Sequence, residues 1–311
     1  MSIKALLLAG PTAVGKTDIS LELASRFFPS QFEIISADSV QVYRYLDIGS
    51  GKLPIDRRRD VHHYLIDEVL PDYLFDAASF CERADVAVQT IESHGRVPFF
   101  VGGAGLYLES FFKGLSPVPD IDPAIRTALM AEHAAKGISM MYEELQRIDV
   151  ESAARIHPND MQRVLRALQV YRGTGKTLTW YRSNKKPRET EKTLYIGISC
   201  DRSELDRRIE KRVDGMMTSG FLDEVASLVE KGYTLECNAM RSIGYRELCN
   251  YLDGKTSLTD AVGKIKSETR EYAKRQVTWF RREKRMRWFD YRDIGGIVEA
   301  VSAWAGSDST S

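Results

Sequence analysis

The stretch Gly10-Pro11-Thr12-Ala13-Val14-Gly15-Lys16-Thr17 combines residue types that bind a polyphosphate. Its spacing is G-x-x-x-x-G-K-[ST]. Two glycines let the backbone wind round an anion so that N–H groups point inward, the lysine adds a point charge, and the threonine hydroxyl reaches Mg²⁺. The flanks agree with this chemistry. Ala5-Leu6-Leu7-Leu8-Ala9 reads as a buried strand, and Ile19, Leu21, Leu23, Ala24 and Phe27 have helical spacing, so a helix N-terminus would add its own amides. Diphosphate binding by Gly10 to Thr17, with Mg²⁺ at Thr17, is therefore expected. A second Gly-Lys-Thr, in Gly173-Thr174-Gly175-Lys176-Thr177, fails the same test, because Val170 stands where the first loop glycine belongs. It reads as a helix end followed by a basic loop.

The elements that position such a loop can be followed along the chain. Phe32 to Ser36 reads as a second strand that delivers Asp38-Ser39 to its C-terminal end, where ligands sit in open α/β sheets. Asp38 is then a cleft residue, a turn aspartate or a Mg²⁺ ligand. Asp47 to Lys52 reads as a surface loop and Arg57-Arg58-Arg59-Asp60 as a solvated charge run; His62-His63, without further ligands at metal spacing, is expected to pack or hydrogen-bond. Asp76 caps a helix to about Ser93, and the strand Val97–Val101 ends in Gly102-Gly103-Ala104-Gly105, a second glycine turn with no strand-end carboxylate. The helix from Leu205 through Arg212 to Met216 carries arginines that suit either a leaving phosphate or a surface ion-pair network. A helix from Glu268 to Arg287 interleaves Arg and Lys with Tyr272, Trp279 and Phe280, which suits RNA phosphates and unpaired bases, the alternative being an amphipathic core helix with a solvated face.

At 311 residues and 43% hydrophobic, the chain can bury one large core or two modest ones. Its formal net charge of zero argues against coating nucleic acid along its whole surface, while leaving room for local basic patches. No apolar run is long enough to span a bilayer and no cleavable signal precedes the first strand, so a cytoplasmic protein without membrane association is expected. Cys81, Cys200, Cys237 and Cys249 form no C-x-x-C pair and are expected to be reduced thiols. Pro117, Pro119 and Pro123 mark a break before a mostly helical stretch from Ala124 to about Tyr171, and a strand resumes at Thr193–Ile198. The expected fold is α/β: a P-loop core with a parallel sheet in residues 1–118 and 192–311, interrupted by a helical insertion at 119–191.

With those residues in view, the sequence resembles the bacterial tRNA dimethylallyltransferases, which prenylate the adenosine 3′ of the anticodon. The resemblance runs from the P-loop to Arg281. It rests also on Asp38-Ser39-Val40-Gln41-Val42-Tyr43, Asp47-Ile48-Gly49, Val101-Gly102-Gly103 with Gly105-Leu106-Tyr107, Ile156-His157-Pro158-Asn159-Asp160 with Gln162-Arg163, Arg166-Ala167-Leu168, Ile243-Gly244-Tyr245 and Lys274-Arg275-Gln276-Val277-Thr278-Trp279-Phe280. It implies dimethylallyl diphosphate as donor, Mg²⁺ as cofactor, the tRNA anticodon stem-loop as partner and a monomer. By the same resemblance Asp38 is the base that takes the amine proton, and Lys16, Thr17 and Arg212, with Arg208 as the alternative arginine, stabilise the departing diphosphate. Asp38, Ser39, Val40, Gln41 and Ala104 would meet the target base, which must leave its stack; Gln162, Arg163, Val164, Leu165, Arg166 and Arg275 would meet the RNA. The chain departs from the family at Ala104, where a threonine is usual, and at Ser50-Gly51-Lys52, where Thr-Ala-Lys is usual.

Two other enzymes would share this core. An adenylate isopentenyltransferase needs no RNA-reading surface, and a nucleotide kinase would use the loop for ATP. A nucleotide-switch module would carry Asn-Lys-x-Asp, and Asn184-Lys185-Lys186-Pro187 lacks the aspartate.

Overall fold

The computed structural model describes residues 3–27, 31–58 and 61–306. The strands β1 (Leu6–Ala9), β2 (Phe32–Ala37), β3 (His63–Tyr64), β4 (Val97–Gly102), β5 (Leu194–Ser199) and β6 (Arg287–Asp290) form one sheet in the order β3-β2-β4-β1-β5-β6. Every pairing is parallel. The helices are α1 (Lys16–Arg26), α2 (Ala77–Ser93), α3 (Gly105–Lys113), α4 (Pro123–Ile148), α5 (Val150–Arg155), α6 (Met161–Thr174), α7 (Leu178–Ser183), α8 (Arg202–Thr218), α9 (Phe221–Glu230), α10 (Tyr245–Leu252), α11 (Leu258–Phe280) and α12 (Ile294–Gly306).

A parallel sheet covered on both faces needs strands that are apolar throughout, and all four residues of β1 are buried. Because side chains alternate across a strand, Leu6, Leu8 and Phe99 join one core with Ile19 and Leu23 of α1, Ile209 of α8 and Ile297 of α12. On the other face Phe100 packs on Phe111 of α3 at 4.9 Å, and Phe80 of α2 stacks on Tyr107 at 4.9 Å. Truncating Phe100 to alanine would cost about 3–5 kcal/mol on these grounds. The register then sets the site. Ala9 pairs with both Gly102 and Gly197, and Ala37 also pairs with Gly102, so β1, β2 and β4 end at one level, β5 runs two residues further, and their following loops leave from one edge.

The chain divides into two compact units, residues 1–111 with 189–311, and residues 112–188. The inserted unit thus starts before the proline cluster and ends before residue 191, which corrects the expected bounds. The reason lies in the hydrogen bonds: Arg188 N donates to Phe112 O at 3.2 Å within the insertion, whereas Ile3 N donates to Glu189 O at 3.0 Å and Thr193 Oγ1 to Ile3 O at 3.0 Å within the sheet unit. The insertion has its own core of Leu129, Met141, Leu145, Val164, Leu165 and Leu168. Arg172 ties α6 to α4 through Glu132 at 2.7 Å and Glu144 at 2.6 Å.

Two further expectations, on the basic-aromatic helix and on Arg58, are corrected. The basic-aromatic helix starts at Leu258 and stops at Phe280, and Arg287 opens β6, an edge strand too short to announce itself. β3, also at an edge of the sheet, is only two residues long. Arg58 is no solvated charge, since it donates to Leu53 O at 2.7 Å and Asp67 Oδ2 at 3.0 Å; Arg59 and Asp60 lie outside the described residues. Asp76 Oδ1 caps α2 through Ala78 N and Ser79 N, and Gly175, at φ 72°, ends α6 inside the second Gly-Lys-Thr. No helix among the described residues is long and apolar enough to cross a membrane.

Candidate active site

Gly15 precedes α1 at φ 103°, a left-handed conformation that glycine adopts freely, and no side chain caps the helix. The first amides of a helix have no intrahelical acceptor, so those of α1 are available to a ligand in the cavity that Gly15, Lys16 and Thr17 line. That cavity, about 970 Å³, is bounded by the P-loop, by Asp38 to Gln41 after β2, by Gly49 to Leu53, by Gly103 after β4, by Arg208 and Arg212 of α8, and by Tyr272 and Gln276 of α11. All these residues belong to the sheet unit.

Positive charge converges there. Lys16 Nζ donates to Gly10 O at 2.9 Å and Pro11 O at 2.8 Å, which holds the ammonium over the loop. Burial pulls its pKa down to about 8, with Asp38 opposing the shift and Arg212 adding to it. Burial also lowers the pKa of Arg212, and Asp38 again opposes. Arg212 Nη2 donates to Ser50 O at 3.2 Å, and Arg208 Nε to Ala13 O at 2.9 Å with its guanidinium 4.3 Å from the Tyr291 ring. The two arginines are one helical turn apart, so both face the loop. Arg207, which also lines the cavity, pairs with Glu204 at 2.9 Å, so an ion pair of the helix surface borders the same space.

Asp38 is a turn residue and a cavity residue at once. Its Oδ1 accepts from Val40 N at 2.8 Å and Gln41 N at 3.2 Å, which fixes the plane of the carboxylate. Gln41 in turn accepts from Ser36 Oγ at 3.3 Å. Ala104 N donates to Ala37 O at 3.0 Å, placing that turn beside the end of β2. Buried Gln276 bridges two loops: Oε1 accepts from Thr12 N at 2.8 Å and Nε2 donates to Gly103 O at 2.9 Å. Beside it Tyr272 has its pKa raised by burial first and by Asp38 next, so its hydroxyl stays protonated.

In the insertion, Asp160 caps α6 through Arg163 N at 3.1 Å and also pairs with the Arg163 side chain. Gln162, Arg163 and Arg166 are exposed. Val164 and Leu165 are not: they are 0% and 3% exposed and fill the core of the insertion, so they offer no side chain to an RNA. The residues of α6 that could touch RNA are those out of phase with its apolar stripe. Arg275 is exposed, 5.8 Å over the Tyr272 ring, whereas Arg270 pairs with Glu210 at 2.9 Å and Lys266 with Asp214 at 2.6 Å.

Asp47 to Lys52 is not a plain surface loop. The Lys52 side chain is 2% exposed, with Nζ on Asp47 at 2.7 Å and Asp67 at 2.6 Å. His63 Nδ1 lies 2.7 Å from Val61 O and His62 packs on Tyr64 at 4.3 Å; no metal-ligating cluster of three or more His, Cys, Asp or Glu occurs among the described residues. None of the four cysteines is in a disulfide. Gln276 and Tyr272 carry no spacing signal of their own, since a glutamine on the buried face of a helix has no periodic signature.

A parallel α/β sheet with a P-loop between its first strand and first helix places the chain in the P-loop class. The IPP transferase family model matches residues 41–283, and the chain belongs to that family. A tRNA dimethylallyltransferase of Syntrophobacter fumaroxidans is 44% identical over 302 residues, 97% of this chain and 87% of that one. One from Carboxydothermus hydrogenoformans is 40% identical, with 98% of each chain covered. Among solved structures, the tRNA isopentenylpyrophosphate transferase of Bacillus halodurans has a TM-score of 0.72 at 36% identity over 98% of both chains. A eukaryotic dimethylallyltransferase acting on tRNA has a TM-score of 0.79 at 28% identity, covering 98% of this chain and 78% of that one.

Proposed function

We propose that the chain is a tRNA dimethylallyltransferase, the activity for which its relatives are named, and that it moves a dimethylallyl group from dimethylallyl diphosphate to N6 of the adenosine 3′ of the anticodon, position 37, releasing diphosphate. The observation that carries this reading is the convergence of Asp38, Lys16 and Arg212 on the cavity above the P-loop. The exocyclic amine of adenine is a weak nucleophile because its lone pair is delocalised into the ring, so a base that takes its proton as the N–C bond forms lowers the barrier. Asp38 suits this role, because its Oδ1 is held by two backbone amides, which leaves Oδ2 for the proton.

As the C–O bond breaks, negative charge grows on the diphosphate. The P-loop amides, the Lys16 ammonium and the Arg212 guanidinium are arranged beforehand to receive it, so they act without reorganising during the reaction. The loop serves a leaving group, and no ATP is consumed. A hydroxyl at the end of a phosphate cradle suits Mg²⁺, which binds through few protein oxygens together with substrate phosphates and water; Thr17 would hold it. When bound, the ion neutralises charge on the departing oxygens.

The RNA would be met by exposed Gln162, Arg163 and Arg166 of α6 and by Arg275, and the target base by Asp38 to Gln41 and Ala104. A cytoplasmic monomer completes the proposal. One set of reactions tests it: dimethylallyl diphosphate and Mg²⁺ with an anticodon stem-loop, with AMP, or with no acceptor. Prenylated stem-loop is expected. Transfer to AMP alone would identify an adenylate isopentenyltransferase instead.

A further inference from the structure

Three consecutive backbone N–H groups, those of Asp47, Ile48 and Gly49, donate to one carboxylate, Glu224 of α9, at 2.9, 2.7 and 3.1 Å. The Tyr245 hydroxyl donates to the same carboxylate at 2.7 Å. Successive amides turned towards one anion make the concavity that elsewhere binds phosphate, and here the anion belongs to the chain itself. Tyr245 is kept as a donor, because burial first and the charge of Glu224 next push its pKa well above the ordinary value. Phe221 closes over the arrangement, with its ring 5.0 Å from that of Tyr245 and 2.1 Å from where a Cβ on Gly49 would stand.

The far end of the loop is pinned as well. Lys52 Nζ donates to Tyr43 O at 2.6 Å in addition to its two aspartates, and Ser50 Oγ donates to Leu46 O at 2.5 Å. Between the pins lie Ser50, whose carbonyl accepts from Arg212, and Gly51, at φ 62°, where an added Cβ would come within 2.1 Å of Arg212 Nη2. The guanidinium therefore rests on bare backbone, and its position is the position of residues 50–51.

We infer that Glu224 is a positioning residue for Arg212. By filling the amides of residues 47–49 it fixes the loop backbone on which the guanidinium lies, and so aims that charge at the diphosphate without touching it. This rests on the reading of Arg212 as a diphosphate ligand, and the effect must pass through Arg212.

The test is a double-mutant cycle read by calorimetric titration of inorganic pyrophosphate with Mg²⁺ into wild type, Glu224→Gln, Arg212→Met and the double variant. A glutamine can accept with only one of its two atoms, so two of the four donors lose their acceptor. Glu224→Gln is expected to weaken pyrophosphate roughly tenfold and Arg212→Met roughly ten- to a hundredfold, as for lost charge-assisted hydrogen bonds. In the Arg212→Met background Glu224→Gln should then cost less than about twofold, whereas a merely structural role gives the same loss in both backgrounds. Equal losses, or no loss in Glu224→Gln, overturn the inference. Should Glu224→Gln fold poorly, Tyr245→Phe removes one donor and keeps the ring; a loss of about threefold that vanishes in Arg212→Met is expected, and one that persists there overturns the inference. Pyrophosphate bound by Arg212→Met as tightly as by wild type would instead remove the diphosphate reading of Arg212, a result distinct from equal losses in two backgrounds.

Discussion

Two loops of the sheet unit turn backbone amides towards negative charge, and they are finished differently. In the P-loop, α1 begins without a side-chain cap and its first amides border the cavity. In residues 47–49 the amides are filled by Glu224. In the proposed reading the first loop takes an anion from outside, whereas the second holds a carboxylate that the chain itself supplies. Both deliver a cation to the same place, Lys16 in one case and Arg212 in the other, and Asp38 acts electrostatically on both. The contrast shows that amide geometry alone does not make a ligand site. What matters is whether the chain supplies the counter-charge.

The largest expected effect comes from the residue the two loops share. Asp38→Asn keeps the shape and loses the proton acceptor, so single-turnover prenyl transfer should slow by about 10²–10⁴. If extra Mg²⁺ restored the rate, Asp38 would be a metal ligand and not the base. The same variant removes the charge that raises the Lys16 pKa, so the Lys16 midpoint should fall below about 8.

Lys16→Ala addresses the open loop, and loss of a charged hydrogen-bond donor should weaken pyrophosphate by roughly ten- to a hundredfold near pH 7. The sign of its pH dependence follows from the direction of the shift. With the Lys16 pKa lowered to about 8, the ammonium is present below that pH and lost above it, so the advantage of wild type over Lys16→Ala should shrink as pH rises through 8. Equal pH profiles for the two proteins would show that Lys16 does not meet the anion.

Gly51→Ala addresses the closed loop. Left-handed alanine costs roughly 1–2 kcal/mol, and its Cβ would stand 2.1 Å from Arg212 Nη2, so pyrophosphate affinity should drop by about tenfold beyond any fall in melting temperature. Charges outside both loops serve as controls. Neutralising Arg163, Arg166 or Arg275 should leave pyrophosphate binding intact and reduce the log–log salt slope of tRNA binding by about one each. The smallest effect is expected at Ala104. Restoring a hydroxyl with Ala104→Thr should leave the prenylation rate unchanged or raise it by at most about tenfold, since a neutral hydrogen bond is worth about 0.5–1.5 kcal/mol. A large loss would mean that the pocket is shaped round the methyl group.

How much of this is legible in the sequence depends on how local the cause is. The P-loop, the Asp76 cap and the strands β1, β2, β4 and β5 are written in contiguous residues, and each lies within a residue or two of where the pattern puts it. The role of Gly175 as a helix end is readable for the same reason. By contrast, Glu224 owes its place to partners about 175 residues away, and Lys52 is buried by nearby Tyr43, Asp47 and Asp67 through loop contacts that have no periodic pattern. β6 escapes a sequence reading because a short edge strand makes few demands on its residues. Val164 and Leu165 fall in with their neighbours as RNA contacts only when a motif is read as a run, which ignores helical phase.

The sheet order has a consequence for synthesis. β1 lies between β4 and β5 and makes no pairing with β2, its neighbour in sequence. As the chain leaves the ribosome, four buried apolar residues wait without a partner until residue 102 has emerged, and one flank stays open until residue 199. At translation rates of about 5–20 residues per second, that delay is on the order of ten seconds or more. An unpaired apolar edge is a template for wrong pairing, so the risk to a nascent chain of this topology is greatest before β4 emerges and persists on one flank while the insertion is being made.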